Sequence, residues 1–270
     1  MESAEYHSAL SALAWQIELG VDECIADAPI NRYEVPAAVA RPALAAPAHP
    51  AAPEAAPSGP APGVDAVAAA RAAAGAAQDL EGLRAAMAAY EHCDLKLGAR
   101  NLVFSDGVPG SRVMIVGEAP GRDEDREGRP FVGRAGQLLD KMLAAIELSR
   151  DPPSPSDAAG QSNSVYITNV LPWRPPQNRD PKPDEIAMMQ PFLHRHIALA
   201  QPDVLVIMGN HACQALLGKR GITRLRGEWT QAAGKPALPM FHPAYLLRSP
   251  EFKREAWADL LSLKAWLRDG

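Results

Sequence analysis

The apolar run Val113-Met114-Ile115-Val116 passes without a break into Gly117-Glu118-Ala119-Pro120-Gly121. An unbroken aliphatic run of this kind fits a strand buried on both faces, as in a parallel sheet covered by helices. It ends on a turn that carries a carboxylate between glycines. The glycines let backbone approach a ligand closely, and Pro120 stiffens the turn. Further on, within Arg129-Pro130-Phe131-Val132-Gly133, the ring of Phe131 offers a flat face for stacking. The carboxyl edge of a parallel sheet is where α/β folds bind their ligands. A tight turn entering a helix accounts for the same glycines, so the run alone does not define a site.

Three further apolar segments follow, and helical periodicities separate them. Strands are expected over 112–117, 165–169, 204–209 and 237–241, with helices over 135–146, 183–200, 211–217 and 252–268. This alternation predicts an α/β fold, a parallel sheet with helices on both faces. Residues 149–164, rich in Pro, Ser, Asp and Gly, read as an inserted loop.

The N-terminal third is different. Tyr6, Leu10, Leu13, Ile17, Val21 and Cys24 recur at helical spacing, which predicts an amphipathic helix within residues 1–35. Residues 36–63 are dominated by Ala and Pro, too proline-rich for helix and too poor in large apolar groups to bury, and read as a disordered tether. Residues 64–91 return to helical spacing, with Asp79 as a cap for a second segment, and open a folded domain over 64–270.

Charge follows the same division. Of the 32 acids and 27 bases, residues 1–88 hold 11 and 4, so the remainder carries a small basic excess compatible with a phosphate-binding face. Cys24, Cys93 and Cys213 are odd in number and far apart, which argues for a reducing, cytoplasmic setting without disulfides. No apolar run is long enough to span a bilayer. No second apolar stripe demands a partner, so a monomer is expected.

Each expected strand ends in a polar group. Glu118 follows the first, Asn169 ends the second, Gly209-Asn210 ends the third and His242 follows the fourth. A carboxylate, an amide and an imidazole gathered around Phe131 suit a planar ligand rich in hydrogen-bonding groups. Singly, Asn169 also reads as a turn residue and His242 as a loop histidine before Pro243.

Five motifs in one order resolve this. Gly117-Glu118-Ala119-Pro120-Gly121, Gly128-Arg129-Pro130-Phe131-Val132-Gly133, Tyr166-Ile167-Thr168-Asn169, Arg174-Pro175-Pro176-Gln177-Asn178-Arg179 and His242-Pro243-Ala244-Tyr245-Leu246-Leu247-Arg248 together resemble family 4 uracil-DNA glycosylases. The resemblance runs from Tyr90 to Leu267. It implies a three-layer α/β/α sandwich around a four-stranded parallel sheet. It also implies a DNA-repair hydrolase that cuts the N-glycosidic bond of uracil in DNA and leaves an abasic site. A fold that has kept nucleic-acid binding but lost turnover, and a glycosylase for other deaminated bases, are the competing readings.

Under this resemblance Phe131 stacks on the extruded base, in a wall formed by Gly117 and Ala119. Asn169 donates to uracil O4 and accepts from N3–H, a pairing that cytosine inverts. Thymine differs by a methyl group, so the turn at Glu118 is expected to exclude it by shape. His242 faces the charge that develops at O2. Better-known uracil glycosylases carry an Asp where this chain has Ala119, which leaves Glu118 and Glu124 as candidates to position water; Glu124 reads equally as a solvated acid beside Asp123, Asp125 and Glu127. Arg174 and Arg179 are expected to contact DNA and Arg248, Lys253 and Arg254 to meet phosphates, with Tyr245, Leu246 and Leu247 as a wedge; a solvated helix face explains Lys253 and Arg254 equally well.

Family 4 members hold an iron-sulfur cluster on four cysteines, and the matching positions here are Tyr90, Cys93, Trp173 and Met189. One thiolate cannot hold such a cluster, so no cofactor is expected and side-chain packing is expected to fill its volume. The N-terminal helix has no counterpart in the motifs. Residues 5–26, with Trp15, Ile17 and Leu19, read either as a dispensable appendage or as a docking element for a repair or replication protein.

Overall fold

The computed structural model describes residues 65–151 and 163–269. The expected N-terminal helix (1–35), the Ala/Pro tether (36–63) and most of the expected loop at 149–164 lie outside the described residues. Asp65 opens helix α1 (Ala66–Ala76) by accepting from the N–H groups of Val67 and Ala68, and Asp79 opens α2 (Leu80–Ala89) by accepting from Gly82 N–H at 2.7 Å. Then come α3 (Leu95–Gly98), β1 (Asp106–Gly107), β2 (Val113–Gly117), α4 (Arg122–Glu127) and α5 (Arg134–Ala144). They are followed by β3 (Val165–Asn169), α6 (Pro183–Ala200), β4 (Val204–Met208), α7 (Asn210–Leu217) and α8 (Ile222–Leu225). The chain closes with β5 (Thr230–Ala232), β6 (Lys235–Met240), α9 (Pro243–Arg248) and α10 (Lys253–Asp269).

The sheet has six strands in the order β1-β3-β2-β4-β6-β5, which corrects the expected four. The four expected strands form its parallel centre, and the two additions are short antiparallel edges. Neither edge has a pattern to read: Asp106-Gly107 is too short for alternation, and in β5 only Ala232 is buried. Edges of this length leave little unpaired backbone for association.

Pleating sends alternate residues of the central strands to opposite faces. Met114, Val116, Tyr166, Leu205, Ile207 and Ala237 join one apolar core with residues of α1, α2, α6 and α7. Val113, Ile115, Val165, Val206 and Leu238 join the other with Leu139 and Leu143 of α5 and Leu260 and Leu263 of α10. The result is the expected three-layer α/β/α arrangement. Among the described residues no helix is long and apolar enough to cross a membrane.

Strand β2 is the first of the parallel strands in the chain and has β3 on one side and β4 on the other, so the chain leaves it in one direction to form β3 and returns past it to form β4. The crevice between β2 and β4 at their carboxyl ends is thus the topological switch point of the sheet. The four residues Gly117, Asn169, Gly209 and His242 all stand at or just beyond this edge.

Candidate active site

A cavity of ≈ 290 Å³ opens at the carboxyl edge, walled by Glu118, Phe131, Asn169, His242 and Arg248 among others. Gly117 shows how tightly the wall is built. A Cβ at that position would lie 2.4 Å from Asn169 Oδ1 and 2.6 Å from Phe131 Cζ, so only glycine lets the amide and the ring meet there. Asn169 is buried at the end of β3, directly opposite Gly117 in the register with β2.

Phe131 adopts a left-handed backbone conformation (φ 54°), unfavourable for a residue with a bulky side chain. Two charged residues hold it there from opposite sides. Glu124 Oε1 accepts from Val132 and Gly133 N–H at 3.0 and 2.8 Å, while its Oε2 accepts from Gly121 N–H at 3.1 Å. Arg150 donates to the carbonyls of Pro130 and Phe131, each at 3.0 Å, and is itself anchored by Asp106 and Asp140. Gly136 completes the turn, because a Cβ there would sit 1.6 Å from Phe131 O.

These contacts correct the expectation for Glu124. Both of its oxygens accept from backbone donors, so it is no solvated loop acid but a brace for the stacking turn. Arg150 escaped the sequence reading. It stands at the start of a segment read as a loop, and nothing local marks it as a partner of residues 130 and 131.

His242 caps α9: its Nδ1 accepts from Ala244 N–H at 3.1 Å. An accepting Nδ1 places the ring proton on Nε2. Burial, with the nearby charge of Arg248, pushes its pKa down to about 4, so the imidazole is neutral at physiological pH. Its ring lies 5.3 Å from that of Phe131 at an interplanar angle of 26°. That gap is narrower than two stacking distances, so no planar ring fits between the two.

Glu118, one-third exposed, meets a residue absent from the sequence reading. His211 Nδ1 lies 2.7 Å from Glu118 Oε2, and Arg220 Nη2 lies 2.7 Å from His211 Nε2. The sequence reading stopped at Gly209-Asn210, one residue short.

The expected DNA contacts divide. Leu247 and Arg248 are exposed beside the cavity. Leu246 is buried at 1% exposure, and the half-buried Tyr245 stacks on Phe241 and Phe252, so both anchor α9 and neither belongs to the wedge. Arg179 also lines the cavity, and its guanidinium pairs with the buried Glu185. Arg174 Nε donates to Asn178 Oδ1 at 2.8 Å and shapes the same loop.

Tyr90, Cys93, Trp173 and Met189 are all buried in one apolar core. The Tyr90 hydroxyl donates to Ala66 O at 2.7 Å, and its ring packs edge-on against Phe192 at 5.4 Å. Burial pushes the Cys93 thiol pKa up, against thiolate formation. A single thiol among an aromatic pair and a thioether does not fit an iron-sulfur cluster, whose irons require thiolate ligands.

The fold and site thus define an α/β protein with a stacking, amide-reading pocket at the sheet's switch point, flanked by an exposed leucine and arginine. The profile of the Uracil DNA glycosylase superfamily matches residues 104–261. A type-4 uracil-DNA glycosylase of Thermotoga maritima is 39% identical over 183 residues, covering 65% of this chain and 88% of its own. That of Sulfurisphaera tokodaii is 37% identical over 185 residues, covering 65% and 79%. That of Archaeoglobus fulgidus is 36% identical over 191 residues, covering 67% and 90%. The chain belongs to the uracil DNA glycosylase superfamily, in its type-4 branch.

Proposed function

We propose that this protein excises uracil from DNA by hydrolysing the N-glycosidic bond, leaving an abasic site for base excision repair. The observation that carries this reading is the meeting of Phe131, Asn169 and His242 on one cavity. In a duplex the glycosidic bond is hidden, so the base has to be turned out of the stack. Leu247, exposed beside the cavity, fills the gap that the base leaves, and Arg248 meets the backbone phosphate.

Within the cavity the base stacks on Phe131. Asn169 Nδ2–H donates to O4 and Oδ1 accepts from N3–H. Cytosine would set donor against donor and acceptor against acceptor, at roughly 1–3 kcal/mol for each buried group left unpaired. The Glu118 turn stands against the 5-methyl group of thymine.

As the C1′–N1 bond breaks, its electron pair leaves with the base. The neutral His242 donates Nε2–H to O2, where the charge collects, and a preorganised donor of this kind contributes about 10²- to 10³-fold to a rate. The sugar becomes cation-like and is stabilised by the nearby carboxylate of Glu118. Glu118 orients a water molecule at C1′; the water oxygen bonds to carbon and its proton passes to the carboxylate. The three backbone contacts of Glu124 favour Glu118 over it for this role.

We read the enzyme as independent of an iron-sulfur cluster, because packing at Tyr90, Trp173 and Met189 fills the core there. Iron content after anaerobic purification tests this, and stoichiometric iron would overturn it. The separation of the three cysteines in sequence supports a cytoplasmic setting, and the lack of a second apolar stripe in the sequence supports a monomer, which light scattering checks. Residues 5–26 we read as a docking element for a protein partner. Removing residues 1–63 should leave excision from a short oligonucleotide unchanged.

The deciding experiment presents oligonucleotides with U opposite G, U opposite A, single-stranded U, and T opposite G, followed by alkaline cleavage of abasic sites. Product from the uracil substrates and none from T is expected. No product from any uracil substrate would identify a binding relic of the fold.

A further inference from the structure

We propose that His211 positions Glu118 for water activation, with Arg220 fixing the histidine's tautomer; this rests on the reading of Glu118 as the water-orienting carboxylate. The arrangement sits at the switch point, where the turn after β2 faces the first residues of α7 across the crevice between β2 and β4.

The proton placement follows from chemistry. Arginine has only donors, so Arg220 Nη2 at 2.7 Å requires His211 Nε2 to accept. A neutral imidazole that accepts at Nε2 carries its proton on Nδ1, and that N–H donates to Glu118 Oε2 at 2.7 Å. The opposite arrangement, a protonated Glu118 donating to Nδ1, would place an N–H at Nε2 against the guanidinium. A doubly protonated ring would meet the same clash. The network therefore selects an ionised Glu118 with one oxygen engaged and the other free for water.

The loop bearing Arg220 is itself built. Asn210 Oδ1 accepts from Gly221 and Ile222 N–H at 3.0 and 2.8 Å, tying the residues after Arg220 back to the start of α7. His211 is buried while Glu118 is one-third exposed, so the rigid partner lies inside and the working carboxylate faces the cavity. Ligand atoms of Glu118, Asp180 and His211 lie within 4.8 Å of one another, a spacing that would also suit a cation. Arg220 already holds the outward nitrogen of His211, so a positive charge is in place and a metal ion is disfavoured.

The contrast with Glu124 is informative. Three backbone N–H groups fix that carboxylate completely, whereas His211 fixes Glu118 through one oxygen only. A side chain that orients through one oxygen and leaves the other open is what water delivery needs.

The test is a double-mutant cycle read by single-turnover excision from a U:G duplex, with DNA affinity measured separately. His211→Leu should slow excision about 10- to 100-fold, the usual size of losing an orienting hydrogen-bond partner, with affinity for DNA unchanged. His211→Asn, whose amide N–H reaches the same oxygen, should recover most of the rate. In a Glu118→Ala background His211→Leu should cost nothing further. Arg220→Gln, on an exposed loop, should slow excision by a smaller factor and also lose its effect with Glu118→Ala; it serves if His211→Leu unfolds. If His211→Leu slows Glu118→Ala as much as it slows the parent, the positioning role is wrong while the Glu118 reading stands. If Glu118→Ala keeps the parent rate, both are wrong.

Discussion

At the carboxyl edge of the sheet, Asn169, His211 and His242 are polar groups brought out of bulk water, and Phe131 is held in a left-handed conformation by Glu124 and Arg150. Around Tyr90, Cys93, Trp173 and Met189, the same domain is packed with apolar and aromatic side chains. The difference teaches what substitution can replace. Volume in an apolar core can be supplied by many side chains, so aromatic and thioether groups stand where the family carries cysteines. A pocket that reads a base needs a given donor at a given place, and no change of bulk supplies it.

The comparison breaks most sharply at Asn169. Asn169→Asp replaces the donor to O4 by an acceptor and should cut uracil excision by roughly 10³- to 10⁴-fold, while the melting temperature shifts little. A preserved rate would remove Asn169 from base reading. Trp173→Ala should show the reverse pattern. It should lower unfolding stability by about 3–5 kcal/mol in denaturant titrations, the usual cost of emptying an aromatic core site, and leave the rate of the folded fraction intact. If activity fell and stability held, the Trp173 region would be serving the site directly.

His242→Ala should slow excision about 10²- to 10³-fold and spare binding to abasic product. Full activity would overturn the leaving-group role.

Acid sharpens the comparison on the side of stability. Burial pushes His196, stacked on Phe104 and bonded to Tyr166, down to about 3, and His242 is lowered to about 4. Unfolded histidines take up protons near pH 6.5, whereas these remain neutral in the fold. Folding stability should therefore fall as pH drops below about 6.5, at about 1.4 kcal/mol per unit for His196, until the folded value near 3 is reached. Above about 6.5 neither group contributes a slope. Denaturant midpoints across this range check the sign, and a flat profile from pH 6.5 to 4 would contradict it.

The smallest effect is expected at Leu247. Leu247→Ala should lower excision from duplex a few-fold and from single strands hardly at all, since only a duplex leaves a gap to fill. Equal losses on both substrates would show a role in packing α9.

The four parallel strands were legible because apolar runs bounded by glycine and polar residues have few other uses. The cap at Asp79 and the span of α6 were legible for similar local reasons. The edge strands were not, since a two-residue pair has no periodicity and takes its conformation from the neighbour it bonds. The wedge was only half legible: Leu246 and Leu247 are adjacent and chemically alike, and the sequence cannot say which of them α9 turns inward.

By itself the sequence determined the four central strands and the main helices, the family, and Phe131, Asn169 and His242 as candidate residues, because each depends on local pattern or on motifs that stay together along the chain. Only the tertiary structure separated the two carboxylates. Glu118 and Glu124 are the same residue type in one short stretch, and they are distinguished by the groups the fold brings to them, which for Glu118 lie 93 residues away. Backbone amides at 132 and 133 close around Glu124, and His211 with Arg220 meets Glu118 across the crevice between two strands. Hydrogen bonding is directional and short in range, so a side chain's role is set by what the fold brings within about 3 Å of it.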